Sequence, residues 1–381
     1  MLVKLTNQAL DYPWGSTSLI SDYFGLPATG KPMAEIWFGT HDGSPTELVG
    51  REGSLYDLIG KRLPYLMKIL AAEAPLSIQA HPNSEQAKLG FAFEENAGIP
   101  VTAAHRNYKD DRAKPEMIVA LSPTFEALVG FSDPRLVIER FSSLIDLGPS
   151  DSTKQVIIRW IGWLEAEGGI RRVFLDTLRS DDVTASFIAE LVDLAEQSPS
   201  LVDLVSHLTA HHGFDRGIAS ALLLNHKVIS RGEAIFVPAG MPHAYLSGLG
   251  VEIMLASDNV LRGGLTPKHI DIEELEKVLV FQPTAAELCL TKDLAKGLVQ
   301  FEIPTSEFTF YRADLSSQNM LIDLNLPGDA IVLCVGGSIA VSNSRDEREV
   351  INLGEAIYLS DDAKTFSLTG SGEAYLAISS N

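Results

Sequence analysis

Hydrophobic positions change period twice along this chain. Up to about residue 130 they come in short runs broken by Gly, Pro and Asn, which predicts strands. The stretch "PLSIQAHPNSEQAKLGF", residues 75 to 91, begins as an alternating strand and then turns into a helix start at Asn83 or Ser84, either of which suits a cap. From Asp133 and Pro134 the period becomes helical. Val137, Phe141, Leu144 and Ile145 are followed by Ile157, Trp160, Ile161 and Leu164, then by Ile188, Leu191, Val192 and Ala195, then by Leu201, Leu204, Val205 and Leu208. Strands return at Lys227 with "EAIFVPAG" and "GVEIMLAS", a short helix is predicted near residues 267–280, and beyond about residue 300 apolar alternation recurs, as in Ile331, Leu333 and Val335.

This pattern predicts a mainly β chain with a helical insert, built from antiparallel jelly-roll or barrel units. The expected segments are 1–132 and 227–299 for one β unit, 133–226 for the insert, and 300–381 for a C-terminal β unit. An internal echo supports two related β units: "GEAIFVPAGMPHAYL" from Gly232 resembles "GEAIYLSDDAKTFSL" from Gly354. Eleven residues beyond each Gly stand His243 in the first copy and Thr365 in the second, so chemistry resting on that His belongs to the first copy alone.

Composition narrows the classes. At 381 residues and 45% hydrophobic content the chain supports two or three globular domains. No apolar run approaches the roughly 20 residues that span a bilayer, and Asn, Asp and Pro break the N-terminal stretch before a signal-type core forms. A cytoplasmic protein with no membrane partner is expected. The two cysteines, Cys289 and Cys334, are expected to be free, buried and structural. A net charge of −20 argues against nucleic acid as a partner. If the substrate is an anion, the site must create its own positive potential.

Residues i and i+2 of a strand face the same way, so Ser77, Gln79 and His81 would project together, as would Lys114 with Glu116 and His243 with Tyr245. Burying such groups without partners costs several kcal/mol, roughly, for each. A shared divalent metal is the simplest solution, and the set Gln79, His81, Glu116 and His243 suits zinc, with manganese, cobalt or iron as other occupants. The bland reading is that a single His on an apolar strand is a satisfied core residue and that Gln-x-His is common. Pro242-His243 after a Gly-Pro turn is the more specific signal. His41, His105, His207, His211, His212, His226 and His269 lack partners at strand spacing and read as surface or structural. Arg262, beside Gly263 and Gly264, is a further candidate with Glu252 and Asp258 upstream, although the same spacing fits an exposed salt-bridge cluster.

Taken together, "YPWGS" (12–16), "AEIWFGTHDGSPT" (34–46), "PLSIQAHPNSEQAKLGF" (75–91), "NYKDDRAKPEMIVALSPTFEALVGF" (107–131), "VPAGMPHAYLSG" (238–248) and "SDNVLRGGLTPKHID" (257–271) resemble the type I phosphomannose isomerases across nearly the whole chain. The resemblance implies a cupin catalytic domain interrupted by a helical domain and followed by a second β-barrel. It implies one zinc on Gln79, His81, Glu116 and His243, and interconversion of mannose 6-phosphate and fructose 6-phosphate. Arg262 matches the family's catalytic arginine, and Lys114, Tyr245, Glu252 and Asp258 fall in its active cleft. Ala113 and "GFSDP" depart from the family pattern without touching the ligand set. Aldose–ketose conversion needs a base at carbon, for which Glu252 is the first candidate and Asp258 the second. The expected partner is a small sugar phosphate and the expected state a monomer. Two other classes use the same parts: a cupin metal oxygenase, which normally needs iron, and a non-catalytic sugar-phosphate-binding protein, which could dispense with the four ligands filled here.

Overall fold

The structure is a computed structural model and describes residues 1–178, 182–316 and 321–380. Among these, a nine-stranded sheet carries the candidate chemistry. Its hub is the strand His243–Leu255, which pairs antiparallel with Tyr65–Ala72, Glu116–Ala120 and Thr124–Phe131. The hub bends near its middle. A register shift between Tyr245 and Ser247 is followed by Gly248 at φ 121°, where a side chain would meet the backbone of Phe125 at about 3 Å. The first half of the hub therefore pairs with residues 124–131 and the second half with 65–72 and 116–120, which turns one strand into the seam of a folded sheet.

A second sheet of ten strands among the described residues is dominated by Ala330–Asn343 against Thr365–Ser379, paired from Ala330↔Ile378 to Asn343↔Phe366. The internal repeat is visible here. Gly232 (φ 84°) and Gly354 (φ 83°) make the same left-handed turn, each leading into a four-residue strand, Ala234–Val237 and Ala356–Leu359, and then into the long strands that begin at His243 and Thr365. One strand lies outside the sheet that its segment suggests. Leu2–Thr6 pairs with Ala356–Leu359 in the C-terminal sheet, burying Val3 and Leu5 there. Nothing in a five-residue alternation says which distant edge it will complete.

Between these parts run the helices Pro134–Ile145, Asp151–Leu164, Gly169–Thr177, Asp182–Glu196, Val202–His212 and Gly217–Ala221. Every residue of the predicted helical stripes is fully or partly buried, and the resulting core also takes in Ile78, Ala80, Leu128, Ala244 and Leu261 from the sheet. The insert thus packs on the back of the strands that bear the candidate residues. The chain is mainly β with a helical insert, as expected. No helix of the described residues is long and apolar enough to cross a membrane. Both cysteines are free, but only Cys334 is fully buried; Cys289 sits part-exposed in the connection between the sheets.

A candidate metal centre beside a charged cavity

The helix expected near residue 83 is Ser84–Asn96, and Asn83 is its cap: the Asn83 side chain accepts from the amides of Glu85 and Gln86 while Gln86 reaches back to the Asn83 amide. That cap fixes where the preceding chain stops. Only Gln79–Ala80 forms regular strand, so the alternating run of 75–81 is shorter as a strand than its pattern suggests, because Pro82 and the helix cap end it. Gln79 is nevertheless backbone-paired with both His243 and Arg262, and the Gly240 amide donates to the His81 carbonyl at 2.8 Å. Glu116 opens its own strand, with Lys114 just before it across Pro115.

These connections bring three side chains together at almost zero exposure. Glu116 Oε1 lies 2.7 Å from His243 Nε2, and Glu116 Oε2 lies 3.2 Å from His81 Nε2. The far ring nitrogens face backbone carbonyls, His81 Nδ1 to Asn259 at 2.7 Å and His243 Nδ1 to Met241 at 3.1 Å. Each Nδ1 must therefore carry the proton, which leaves each Nε2 as a lone pair aimed at the carboxylate. Burial, followed by the charge of Lys114, lowers His81 to about 4, so a proton at Nε2 is disfavoured at neutral pH. Burial alone would raise Glu116, but the charge of the Lys114 ammonium leads the influences that outweigh it and hold the carboxyl well below the usual range. His81 Nε2 and His243 Nε2 are accordingly buried acceptors with no hydrogen bond, and Glu116 Oε2, which also lacks one, has the Lys114 ammonium beside it. Three acceptors facing one another are repulsive unless a cation sits among them, and their ligand atoms lie within 4.8 Å of each other. The donor set fits a borderline divalent metal.

Beside this cluster is a cavity of about 250 Å³ whose walls include Gln79, Lys114, Glu116, Tyr245 and Glu252. Lys114 Nζ lies 3.2 Å from Glu116 Oε2, and the Tyr245 hydroxyl donates to Glu116 Oε1 at 3.3 Å. Glu252 is buried and pairs with Lys68 at 2.9 Å. Burial raises its carboxyl, Lys68 opposes this, and the charge of Glu116 adds to the rise, leaving it above the ordinary value. Asp258 is placed elsewhere: its side chain is 44% exposed, lies 3.4 Å from His41 and lines a neighbouring cavity with Lys109, Asp110 and Arg112. His41 is thus partnered after all, by Asp258 and by the Trp37 ring.

Sequence reasoning missed Lys68, Glu35, Lys268 and Trp14, which also line the cavity. Lys68 carried a usable signal, since a lone charge at the centre of the apolar run "YLMKILAA" must find a partner; it sits between Glu252 and Glu35 and over the Trp37 ring. Lys268 had none. Burial, then the neighbouring charges of Arg262 and Lys109, lower its ammonium, which identifies a local excess of positive charge. The Arg262 guanidinium has no hydrogen-bond or ion-pair partner among the described residues, and burial lowers it too. A half-buried, unpaired arginine beside Lys268 suits an anion.

The loop that holds Arg262 is braced by the insert. Asp215 Oδ1 accepts from the amides of both Gly217 and Leu265, and Gly264 at φ 127° touches Gly217 so closely that an added Cβ would lie 2.4 Å from the Gly217 Cα. Gly264→Ala is expected to destabilise the protein by about 2 kcal/mol or more. Activity should fall at least about tenfold through misplacement of Arg262, an effect comparable with a misplaced contact elsewhere. Thermal unfolding and metal content check this, with metal content expected to stay unchanged.

A curated mannose-6-phosphate isomerase of Salmonella typhimurium (strain LT2) is 35% identical over 392 residues, 97% of this chain and 97% of that protein. The chain belongs to the type I phosphomannose isomerase family. The family's catalytic-domain model, "Phosphomannose isomerase type I, catalytic domain", matches residues 2–133. Another relative, the mannose-6-phosphate isomerase 1 of Arabidopsis thaliana, is 30% identical over 404 residues, covering 95% of this chain and 90% of that protein. A solved mannose 6-phosphate isomerase bound with zinc and yttrium superposes with a TM-score of 0.89 at 31% identity, covering both chains fully. The apo form from Salmonella typhimurium gives a TM-score of 0.88 at 31% identity, with 100% of this chain and 99% of that one covered. The cupin-type fold with a helical insert follows from the same likeness.

Proposed function

We propose that this phosphomannose isomerase family member interconverts mannose 6-phosphate and fructose 6-phosphate by moving a proton between C1 and C2 through an enediolate, with one zinc per chain. The observation that carries this reading is the trio of buried ligand atoms on His81, His243 and Glu116, with Glu116 also lining a cavity alongside Gln79, Lys114 and Lys268. Those three would hold the metal together with the Gln79 amide oxygen, which lines the same cavity. Bound there, zinc supplies Lewis-acid polarisation of the sugar carbonyl.

The chain's own residues do the rest. Glu252 is the base: its carboxyl is raised and faces the cavity, so at neutral pH it can accept a carbon-bound proton and return it to the neighbouring carbon. Arg262 and Lys114 set positive potential where the enediolate charge develops. Lys268 extends that potential at the cavity wall, and a phosphate is the substrate group that would use it. Tyr245, hydrogen-bonded to Glu116, keeps the carboxylate pointed at the metal position. Asp258, in its separate cavity beside His41, is a second-choice base only.

We also propose that segments 1–132 and 227–299 form the catalytic unit around the insert 133–226, with 300–381 as the C-terminal unit. Pairing of Glu116–Ala120 with both Ala234–Val237 and His243–Leu255 supports this, with strand Leu2–Thr6 as the exception.

The deciding experiment is incubation with mannose 6-phosphate in deuterated water, with and without chelator. Fructose 6-phosphate and carbon-bound label should form only without chelator; product formed at full rate after exhaustive metal removal would sink the reading. Arg262→Ala should lower kcat by at least about 10²-fold with metal retained, as single oxyanion donors do elsewhere. A near-normal kcat would remove Arg262 from the chemistry.

A further inference from the structure

The two imidazoles of the candidate metal centre are anchored in different ways. His243 Nδ1 faces the Met241 carbonyl, two residues back along the chain, so that ring is oriented locally. His81 Nδ1 instead faces the Asn259 carbonyl at 2.7 Å, 178 positions away. Residues 257–260 lie between the strands His243–Leu255 and Leu261–Arg262 and belong to neither. Something other than a sheet ladder must hold that carbonyl in place.

The side chain of the same residue does so. Asn259 is fully buried, and its carboxamide is clasped by residues 109–112, a segment equally without regular structure. Asn259 Oδ1 accepts from the Lys109 amide at 2.7 Å, while Nδ2 donates to the carbonyls of Asp110 at 2.8 Å and Arg112 at 2.9 Å. Its neighbours extend the seam. The Ser257 hydroxyl donates to Asp110 Oδ1 at 2.8 Å, and the Asp258 amide donates to Asp110 Oδ2 at 2.8 Å. Four residues beyond Arg112 stands Glu116, reached through Lys114 and Pro115, and three residues beyond Asn259 stands Arg262.

We propose that Asn259 is a positioning residue for the metal centre, its carbonyl orienting His81 while its carboxamide fixes the segment that delivers Lys114 and Glu116. This rests on the metal reading given under the proposed function. One buried side chain then sets the spacing between an imidazole and a carboxylate that face each other at 3.2 Å. A buried asparagine with matched polar atoms is ordinary in a core. What distinguishes this one is the ring it anchors, because the partner of one imidazole nitrogen fixes the tautomer and direction of the other, and here the other is a ligand atom.

Asn259→Asp keeps the shape but replaces a donor by an acceptor opposite two carbonyls and beside the Asp110 carboxylate, so the seam must open. The test titrates the zinc-loaded enzyme with a chromophoric chelator and, in parallel, records the visible absorption of the cobalt-exchanged enzyme, which reports ligand geometry. Asn259→Asp should weaken zinc by about 10–100-fold and shift the cobalt bands. Asp110→Ala, at a part-exposed position that leaves Asn259 intact, should weaken zinc by at least about threefold and decides the matter if Asn259→Asp does not fold. Ile339→Ala, in the core of the C-terminal sheet, should lower the unfolding temperature yet keep wild-type zinc affinity and cobalt bands, since lower stability alone moves neither. Wild-type affinity and bands in folded Asn259→Asp, or in Asp110→Ala where the first variant fails to fold, overturn this proposal and leave the isomerase reading standing. A wild type that binds no zinc overturns both.

Discussion

Glu116→Ala is expected to abolish stoichiometric metal binding and to lower kcat/KM by at least about 10³-fold, a loss of about 4 kcal/mol in transition-state stabilisation. Glu116 is the one carboxylate in the cluster, and its two oxygens each lie against one of the imidazoles. Removing it takes away the charge that offsets a divalent ion in a buried site, so the two histidines that remain cannot hold the metal alone. The same substitution strips Lys114 of its 3.2 Å partner while leaving the ammonium largely buried. A lost partner of a buried ion pair costs about 3–5 kcal/mol, so a lower unfolding temperature should accompany the metal loss. Separating the two effects needs a comparison rather than a second mutation. Wild type stripped by a chelator should fall to the same residual rate as Glu116→Ala, measured below the unfolding temperature of both, and only wild type should recover when zinc is returned. Retention of one metal per chain by Glu116→Ala, by elemental analysis, would falsify the central ligand assignment.

How much of this was legible beforehand depends on distance along the chain. The helical stripes from Val137 to Leu208 were readable because a helix writes its burial into its own period, and they are buried as that period requires. His81, Glu116 and His243 were readable as candidates because Gln79 with His81, Lys114 with Glu116 and His243 with Tyr245 stand two residues apart. Their convergence on one point was not. It depends on Gln79 pairing with His243, a register set between residues 164 positions apart by everything folded between them. The same reasoning explains why Leu2–Thr6 joined a distant edge and why Asp258, six residues beyond Glu252, faces a different cavity. Lys68 could have been found from the expense of a charge in an apolar run, and Lys268 could not, since a lysine in a Gly-Pro-rich loop ordinarily faces water.

Glu252→Gln should lower kcat by about 10³-fold, within the range of general-base catalysis, while metal content and KM stay close to wild type. The reasoning rests on two acids in one cavity whose surroundings push them apart. Glu116 is held ionised above all by Lys114, which suits a ligand; Glu252 is raised by burial and by the charge of Glu116, which suits a base. The Tyr245 hydroxyl donates to Glu116 and lines the same cavity as Glu252. The pH dependence has a definite sign. A base acts when deprotonated, so turnover falls as pH drops through the raised value of Glu252, and that acid limb should vanish from the residual activity of Glu252→Gln. Stability should respond in the opposite sense to an ordinary surface carboxylate. A raised folded-state value makes ionised Glu252 a cost to folding above its unfolded value, so the variant should not lose stability at neutral pH, provided Lys68 keeps its 3.4 Å contact with Glu35. Deuterium incorporation at carbon is the sharper readout, because a merely structural glutamate would not change it. Asp258→Asn serves as the contrast and should stay within about fivefold of wild type, since its half-exposed carboxylate is spent on His41. If Glu252→Gln exchanges label at the wild-type rate, the proton is taken by some other group and Glu252 is left as the partner that keeps Lys68 charged.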